Sequence, residues 1–217
     1  MTDNASATLR VLATIDRYDA LACAAELQAL ARECPADTLT TEILGPLLHE
    51  AGSRWRRGDY TIAQEHMLSS AILRLLCAEL DRHNRTHEPG APSIAFTTLS
   101  GDRHGMGALI AAVIAACHGV NALHLGADLP VEQLAVLARQ VHLAVVALSI
   151  VAEPGVIDAL GQVQALRADL PPHVEIWLGG VGSRAMDSTS LPSSTYLIGP
   201  LDQYLQRIDI LKSRGDA

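Results

Sequence analysis

Residues Gly101-Asp102-Arg103-His104-Gly105-Met106-Gly107 follow an apolar, β-branched run, Ser93 to Leu99, and place an acid, an imidazole and glycines in one short loop. The loop between a strand and the helix after it is where open α/β sheets bind cofactors. An imidazole with a carboxylate two residues before it is the wiring of a metal ligand. The carboxylate accepts the proton of one ring nitrogen and leaves the lone pair of the other for the metal. Taken alone, Asp102-x-His104 serves equally well as a cap for the helix that follows. Two signals downstream add to it. Ser149 closes the apolar run Leu143 to Ile150, where a hydroxyl can hydrogen-bond a ligand inserted beside a sheet. Gly179-Gly180 follows Val174 to Leu178, where missing side chains let a bulky planar group press against backbone.

The elements that must position these residues change character near Arg85-Thr86-His87-Glu88-Pro89-Gly90-Ala91-Pro92, a polar Pro/Gly stretch with the composition of a linker. Before it, Leu9 to Ile15, Tyr18 to Glu33, Thr41 to Arg57 and Thr61 to Arg85 carry apolar residues three and four apart, which predicts a four-helix bundle. Gly58-Asp59 separates the last two helices, with Asp59 or Thr61 as N-cap. After it, strand-like runs at Ile94–Leu99, Ala122–Leu125, Leu143–Ile150, Val174–Leu178 and Thr195–Ile198 alternate with helical segments. Those segments are Gly107–His118, Val131–Gln140, Val156–Ala168 and Leu201–Lys212. Such alternation predicts a flavodoxin/Rossmann-like, doubly wound parallel sheet of about five strands. The expected domains are residues 1–88 and 89–217. The helix after the first loop is almost wholly apolar and should lie buried.

Bulk properties narrow the functional classes. A formal charge of −8 with only 16 Lys and Arg argues against direct nucleic-acid binding, which needs a basic face. The polar start lacks a secretory signature, and the longest apolar run, Ala108 to Cys117, is too short for a bilayer, so a cytoplasmic protein without a membrane partner is expected. Cys23, Cys34, Cys77 and Cys117 are scattered and suggest neither a zinc cage nor a disulfide framework.

Together, Asp102-x-His104-x-x-Gly107, Ser149-x-Val151 and Gly179-Gly180 resemble the cobalamin-binding domain family, with its D-x-H-x-x-G, S-x-L and G-G pattern. Ser149 stands 42 residues past Gly107 and Gly179 stands 30 past Ser149, both within that family's spacing. Val151 replaces the usual Leu, a mild change of volume. The resemblance implies cobalamin held base-off and His-on. His104 would be the lower axial ligand to cobalt, tuned by Asp102, with Arg103, Gly105 and Gly107 in the same loop. The dimethylbenzimidazole tail would lie in a slot beside Ser149, Val151, Gly179 and Gly180.

Trp55, Glu65 and His66 form W-x9-E-H, which is similar to the signature of light-sensing cobalamin proteins of the CarH/LitR type. That resemblance implies adenosylcobalamin as cofactor, a helical bundle over the upper corrin face, Trp55 covering the adenosyl group, and Glu65 and His66 approaching the upper ligand. Without it, the same residues read as a core Trp beside a surface Glu-His pair. Arg56 stands where many members carry a His that captures cobalt after photolysis, and a guanidinium offers no lone pair for that. No N-terminal helix-turn-helix is legible, so the expectation is a stand-alone sensor, similar to antirepressor-type cobalamin proteins and to photocobilins. The latter add a bilin such as biliverdin as second chromophore. The implied function is light sensing without catalytic turnover, signalled through a protein partner or homo-oligomer.

The rival from a different class is a corrinoid carrier for methyl transfer, which joins a helical bundle to the same domain. A dinucleotide enzyme could use Asp128, 21 residues past Gly107, as a ribose-binding acid. Gly101, Gly105 and Gly107 do not form G-x-G-x-x-G, however. Only 3% of residues are aromatic, which leaves few rings to sandwich a flavin.

Overall fold

The computed structural model describes residues 4–86, 88–152 and 155–214. Packing of the chain separates two compact units, residues 1–79 and 80–217. The boundary falls within the long helix α5, ahead of the polar Pro/Gly stretch.

The first unit is helical: α1 (Asn4–Asp16), α2 (Ala20–Glu33), a short α3 (Ala36–Thr38), a π-helical turn (Leu39–Leu44), α4 (Gly45–Arg57) and the first part of α5 (Ile62–Asn84). Val11, Ile15, Leu27, Ile43, Leu47, Leu68, Ile72 and Leu76 are buried, the stripes that the apolar spacing predicted. α1 begins at Asn4, ahead of Leu9, and two further helical stretches start elsewhere than expected. α2 begins at Ala20 because Tyr18 is left-handed, with φ 57°, and Asp19 caps the helix by accepting from the Ala22 N–H at 2.9 Å. The third helical stretch begins at Ala36 rather than Thr41 and reaches α4 through the π turn. Pro46, which has no N–H for the turn before it, sits in the first turn of α4. Of the two N-cap candidates, Thr61 is the one that caps α5. Its hydroxyl accepts from the Gln64 N–H at 3.2 Å, and Gln64 Oε1 accepts from the Thr61 N–H at 3.0 Å, a reciprocal capping box.

The second unit holds five parallel strands: β1 (Ser93–Thr97), β2 (Asn121–His124), β3 (Val145–Ser149), β4 (Glu175–Gly179) and β5 (Thr195–Leu197), in the order β2-β1-β3-β4-β5. The helices between and after them are α6 (Met106–Cys117), α7 (Val131–Gln140), α8 (Ala159–Asp169) and α9 (Leu201–Ser213). Alternation along the strands assigns the faces. Ala95, Val146, Leu148, Ile176 and Leu178 join α7 and α8 in one apolar cluster. Phe96, Ala147, Ser149, Trp177 and Gly179 occupy the alternate positions. There Trp177 meets Tyr204 of α9 edge-on at 6.1 Å, and α6 buries Ala108, Leu109 and Ala112 to Ala116. Helix α8 begins at Ala159 rather than Val156, because Asp158 caps it through the Gly161 N–H at 2.9 Å. Among the described residues no helix is long and apolar enough to cross a membrane.

Candidate functional site

Strand β1 lies between β2 and β3, so the chain leaves β1 and β3 toward opposite sides, and the crevice beyond their carboxyl ends is the ligand position of such sheets. Asp102 and His104 follow β1, and Ser149 ends β3. The Asp102 carboxylate is buried and fully employed. One oxygen accepts the N–H groups of Val151 at 2.7 Å and Ala152 at 3.0 Å, and the other accepts the His104 N–H at 3.1 Å and faces His104 Nδ1 at 2.8 Å. Burial by itself would raise the Asp102 pKa, but these backbone N–H groups and the His104 ring outweigh it and hold the carboxyl below the usual carboxylate range. A carboxylate only accepts, so Nδ1 carries the proton and Nε2 keeps its lone pair. The His104 side chain is 68% exposed while that of Asp102 is fully buried, so the ring reaches out from a fixed root. Capping of α6 is not what Asp102 does: the N-cap is Gly105, without a side-chain cap.

Residues outside the motif brace this loop. The Thr98 hydroxyl donates to the Asp102 carbonyl and accepts from the Asp128 N–H at 2.8 Å. Asp128, left-handed at φ 60°, accepts the Gly101 N–H on Oδ1 at 2.7 Å, with Arg103 Nε 3.7 Å from its other oxygen. Its carboxylate therefore closes the β1 loop, which corrects the ribose-binding alternative. Gln162 of α8 reads both backbone groups of Ser100, accepting from its N–H at 2.9 Å and donating to its carbonyl at 3.1 Å.

Gly107, Ser149 and Gly179 are brought together. Ser149 and Gly179 are register partners across β3 and β4, and a Cβ on Gly107 would stand 2.8 Å from Ser149 Oγ. The glycine pair divides by cause. Gly180, at φ 91°, has the Ile150 carbonyl 2.4 Å from where a Cβ would be, so the fold itself demands glycine. At Gly179 a Cβ would meet nothing within 4 Å, so packing within the described residues does not. Val151 contributes its N–H, to Asp102.

In the helical unit, Trp55 is 49% exposed on the last turn of α4, which rules out a core Trp. Glu65 and His66 pair on the first turn of α5, with His66 Nδ1 2.5 Å from Glu65 Oε2 and the His66 ring largely exposed. Arg56 donates to Ser53 Oγ at 3.2 Å. Among the described residues no three His, Cys, Asp or Glu side chains converge as a metal-ion cage. One outward imidazole with a carboxylate behind it suits a metal that arrives with most of its ligands already in place.

Comparisons with known proteins give likenesses of sequence and of fold. Residues 9–77 match the family model described as the B12 binding domain. The HTH-type transcriptional repressor CarH of Myxococcus xanthus is 29% identical over 180 residues, 81% of this chain and 58% of that protein. The chain thus spans less than two thirds of that relative. The structure of the monomethylamine corrinoid protein of Methanosarcina barkeri superposes with a TM-score of 0.69 at 15% identity, covering 92% of this chain and 96% of that one, a likeness of fold.

Proposed function

We propose, from the match of residues 9–77 to the B12 binding domain model and the likeness to CarH, that this chain is a cobalamin-binding light sensor that holds adenosylcobalamin base-off with His104 as axial ligand. When bound, that cofactor supplies a cobalt–carbon bond that light can break. The chain's own residues do the rest. Asp102, pinned by the Val151 and Ala152 N–H groups, holds the His104 ring in one tautomer with Nε2 free to ligate. Ser149, Gly107 and Gly179 form the slot for the nucleotide tail, and Gly179 lacks a side chain where no described protein atom would meet one. The helical region, residues 1–88, shields the upper ligand with Trp55, whose half-exposed indole can exclude water from it, while Glu65 and His66 orient polar groups there. Loss of the upper ligand then changes self-association or a partner contact, with no catalytic turnover.

The observation that carries this reading is the Asp102–His104 pair tied to the end of β3. Arg56 favours a second reading, a corrinoid carrier for methyl transfer: a guanidinium held by Ser53 cannot capture cobalt once light has removed the upper ligand, and a carrier needs no such capture. Absorption spectra decide. The chain is mixed with adenosylcobalamin in darkness, then illuminated with green light, with and without biliverdin. A bound cobalamin spectrum that changes with light supports the sensor, and a new red band with biliverdin adds a second chromophore. A retained but light-indifferent spectrum supports the carrier. No retained cobalamin, or a spectrum unchanged in His104→Ala, overturns the assignment of His104.

A further inference from the structure

We infer that Asp128, in the loop between β2 and α7, is a positioning residue for His104: it holds the backbone of Gly101 and Asp102 and so sets the turn from which the His104 imidazole projects. This rests on the reading of His104 as axial ligand. An Asp just ahead of a helix commonly caps it, and this one does not. The N-cap of α7 is Pro130, without a side-chain cap. The Asp128 carboxylate is turned to the β1 loop instead, where Oδ1 accepts the Gly101 N–H at 2.7 Å. Its own N–H points the same way, shared between the Thr98 hydroxyl at 2.8 Å and the Asp102 carbonyl at 3.2 Å. That hydroxyl in turn donates to the Asp102 carbonyl. Asp102 is thus tied on two sides, its carbonyl to Thr98 and Asp128 and its carboxylate to the Val151 and Ala152 N–H groups. With the carbonyl released, the backbone could turn about Asp102 while the carboxylate stayed on the end of β3. The 2.8 Å contact to His104 Nδ1 would then open.

The fold does not need this carboxylate. Helix α7 is docked by Val131, Leu134, Ala135 and Ala138, which are buried in the apolar cluster with Ala95 and Val146. The Asp128 side chain is 40% exposed and faces a largely exposed Arg103 at 3.7 Å, so that ion pair adds little to stability. The backbone of Asp128 is left-handed at φ 60°, where a Cβ is unfavourable. Two residues earlier the same loop meets the same demand with Gly126, at φ 79°. A side chain therefore stands at 128 where glycine would be less strained, and what glycine lacks is the acceptor for Gly101.

Asn, Gly and Ser replacements of Asp128 in the full chain test this. Asn tolerates the left-handed backbone and offers a carbonyl oxygen in place of Oδ1. Gly relieves the backbone and offers no acceptor, and the Ser hydroxyl is one bond shorter in reach. Two readouts follow the His104 ring: its 15N NMR tautomer in the cobalamin-free protein, and the nitrogen splitting in the electron paramagnetic resonance spectrum of bound cob(II)alamin. Asp128→Gly is expected to melt close to the wild-type temperature, to lose the single Nδ1–H tautomer of His104, and to lower the nitrogen-ligated share of cobalt several-fold. Asp128→Asn is expected to keep both signals. A His104 ring in the Gly variant identical to wild type overturns the inference, and so does an Asn variant that behaves as the Gly variant does. Should the Gly variant not fold, Asn against Ser decides: retention by Asn alone supports it, and equal behaviour overturns it. If the wild type retains no nitrogen-ligated cobalamin, the proposed function fails, while the ring spectrum of the cobalamin-free protein still decides the role of Asp128.

Discussion

Gly107 and Ser149 are complementary by absence. A Cβ on the glycine would lie 2.8 Å from the serine hydroxyl, so the first turn of α6 lies over the end of β3 with that hydroxyl in the place a side chain at 107 would crowd. This contact joins two segments 42 residues apart and shapes the slot assigned to the nucleotide tail.

Gly107→Ala separates fold from function at this contact. The hydroxyl can rotate away, and alanine favours helix over glycine by about 1 kcal/mol, so thermal stability should change by less than about 1 kcal/mol. The displaced hydroxyl then projects into the slot, and cobalamin affinity should fall at least tenfold. Gly107→Ala with Ser149→Ala relieves the crowding and should recover part of that affinity. Titration of the variants with cobalamin beside their melting curves checks this; equal affinity for Gly107→Ala and wild type would remove Gly107 from the site.

Asp102→Asn tests the root of the candidate ligand. Asn replaces an acceptor of three backbone N–H groups with a side chain that must turn a donor toward some of them, at a cost of about 3 kcal/mol. The pH dependence has a definite sign. The native pKa lies below the unfolded value of about 3.9, so the unfolded chain takes up the proton first. The contribution is present above pH of about 4 and lost as pH falls through the native pKa. Urea titrations between neutral pH and about pH 3 should show a shallower acid limb for Asp102→Asn than for wild type.

Glu175 is the second buried acid and tests stability alone. Its carboxylate accepts Trp177 Nε1 at 2.7 Å, Arg207 at 2.9 Å and Arg214 at 2.6 Å. Burial would raise its pKa, but these three donors lower it, so its stabilisation too is lost toward acid. Glu175→Gln should cost about 2 kcal/mol. Arg207→Ala should cost more than Arg214→Ala, because Arg207 also stacks 3.3 Å above the Tyr196 ring while Arg214 is 57% exposed. A reversed order in chemical denaturation would mean that the charge, not the stacking, ties α9 to the sheet.

What the sequence disclosed follows from which interactions leave a mark in residue types. Strands buried on both faces read as continuous apolar runs, so β1 to β5 were legible to within about two residues. Asp102, His104 and Ser149 were legible as candidates because their side chains carry polar groups, and Gly179 because it lacks a side chain. The N–H groups of Val151 and Ala152 that fix Asp102 were not, since any residue offers the same donor. Nor were Thr98 and Gln162, which act on backbone from separate elements. Asp128 was noticed for the wrong task, because a loop-closing Asp and a ribose-binding Asp fall at the same point after β2. The left-handed Tyr18 that delays α2 carries no type signal at all.

Tyr60 gives the helical unit a pH signature of opposite sign. Its hydroxyl donates to Asp16 Oδ1 at 3.0 Å and accepts from Arg54 at 3.1 Å, with the Arg54 guanidinium 5.1 Å from its ring centroid. Burial, followed by the bond to Asp16, pushes its pKa up to about 12. The unfolded tyrosine ionises near pH 10, so the stabilisation is whole below about pH 10 and declines as pH rises toward the native value. Tyr60→Phe should cost about 1 kcal/mol at neutral pH for the lost hydrogen bonds. Between about pH 10 and 12 the gap between wild type and variant should narrow, because the wild type alone has this phenol to ionise on unfolding. Melting curves across that range measure it. A gap that stayed constant would show that the Tyr60 proton is not held by Asp16 and burial, and that the loop joining α4 to α5 is more open than these contacts require.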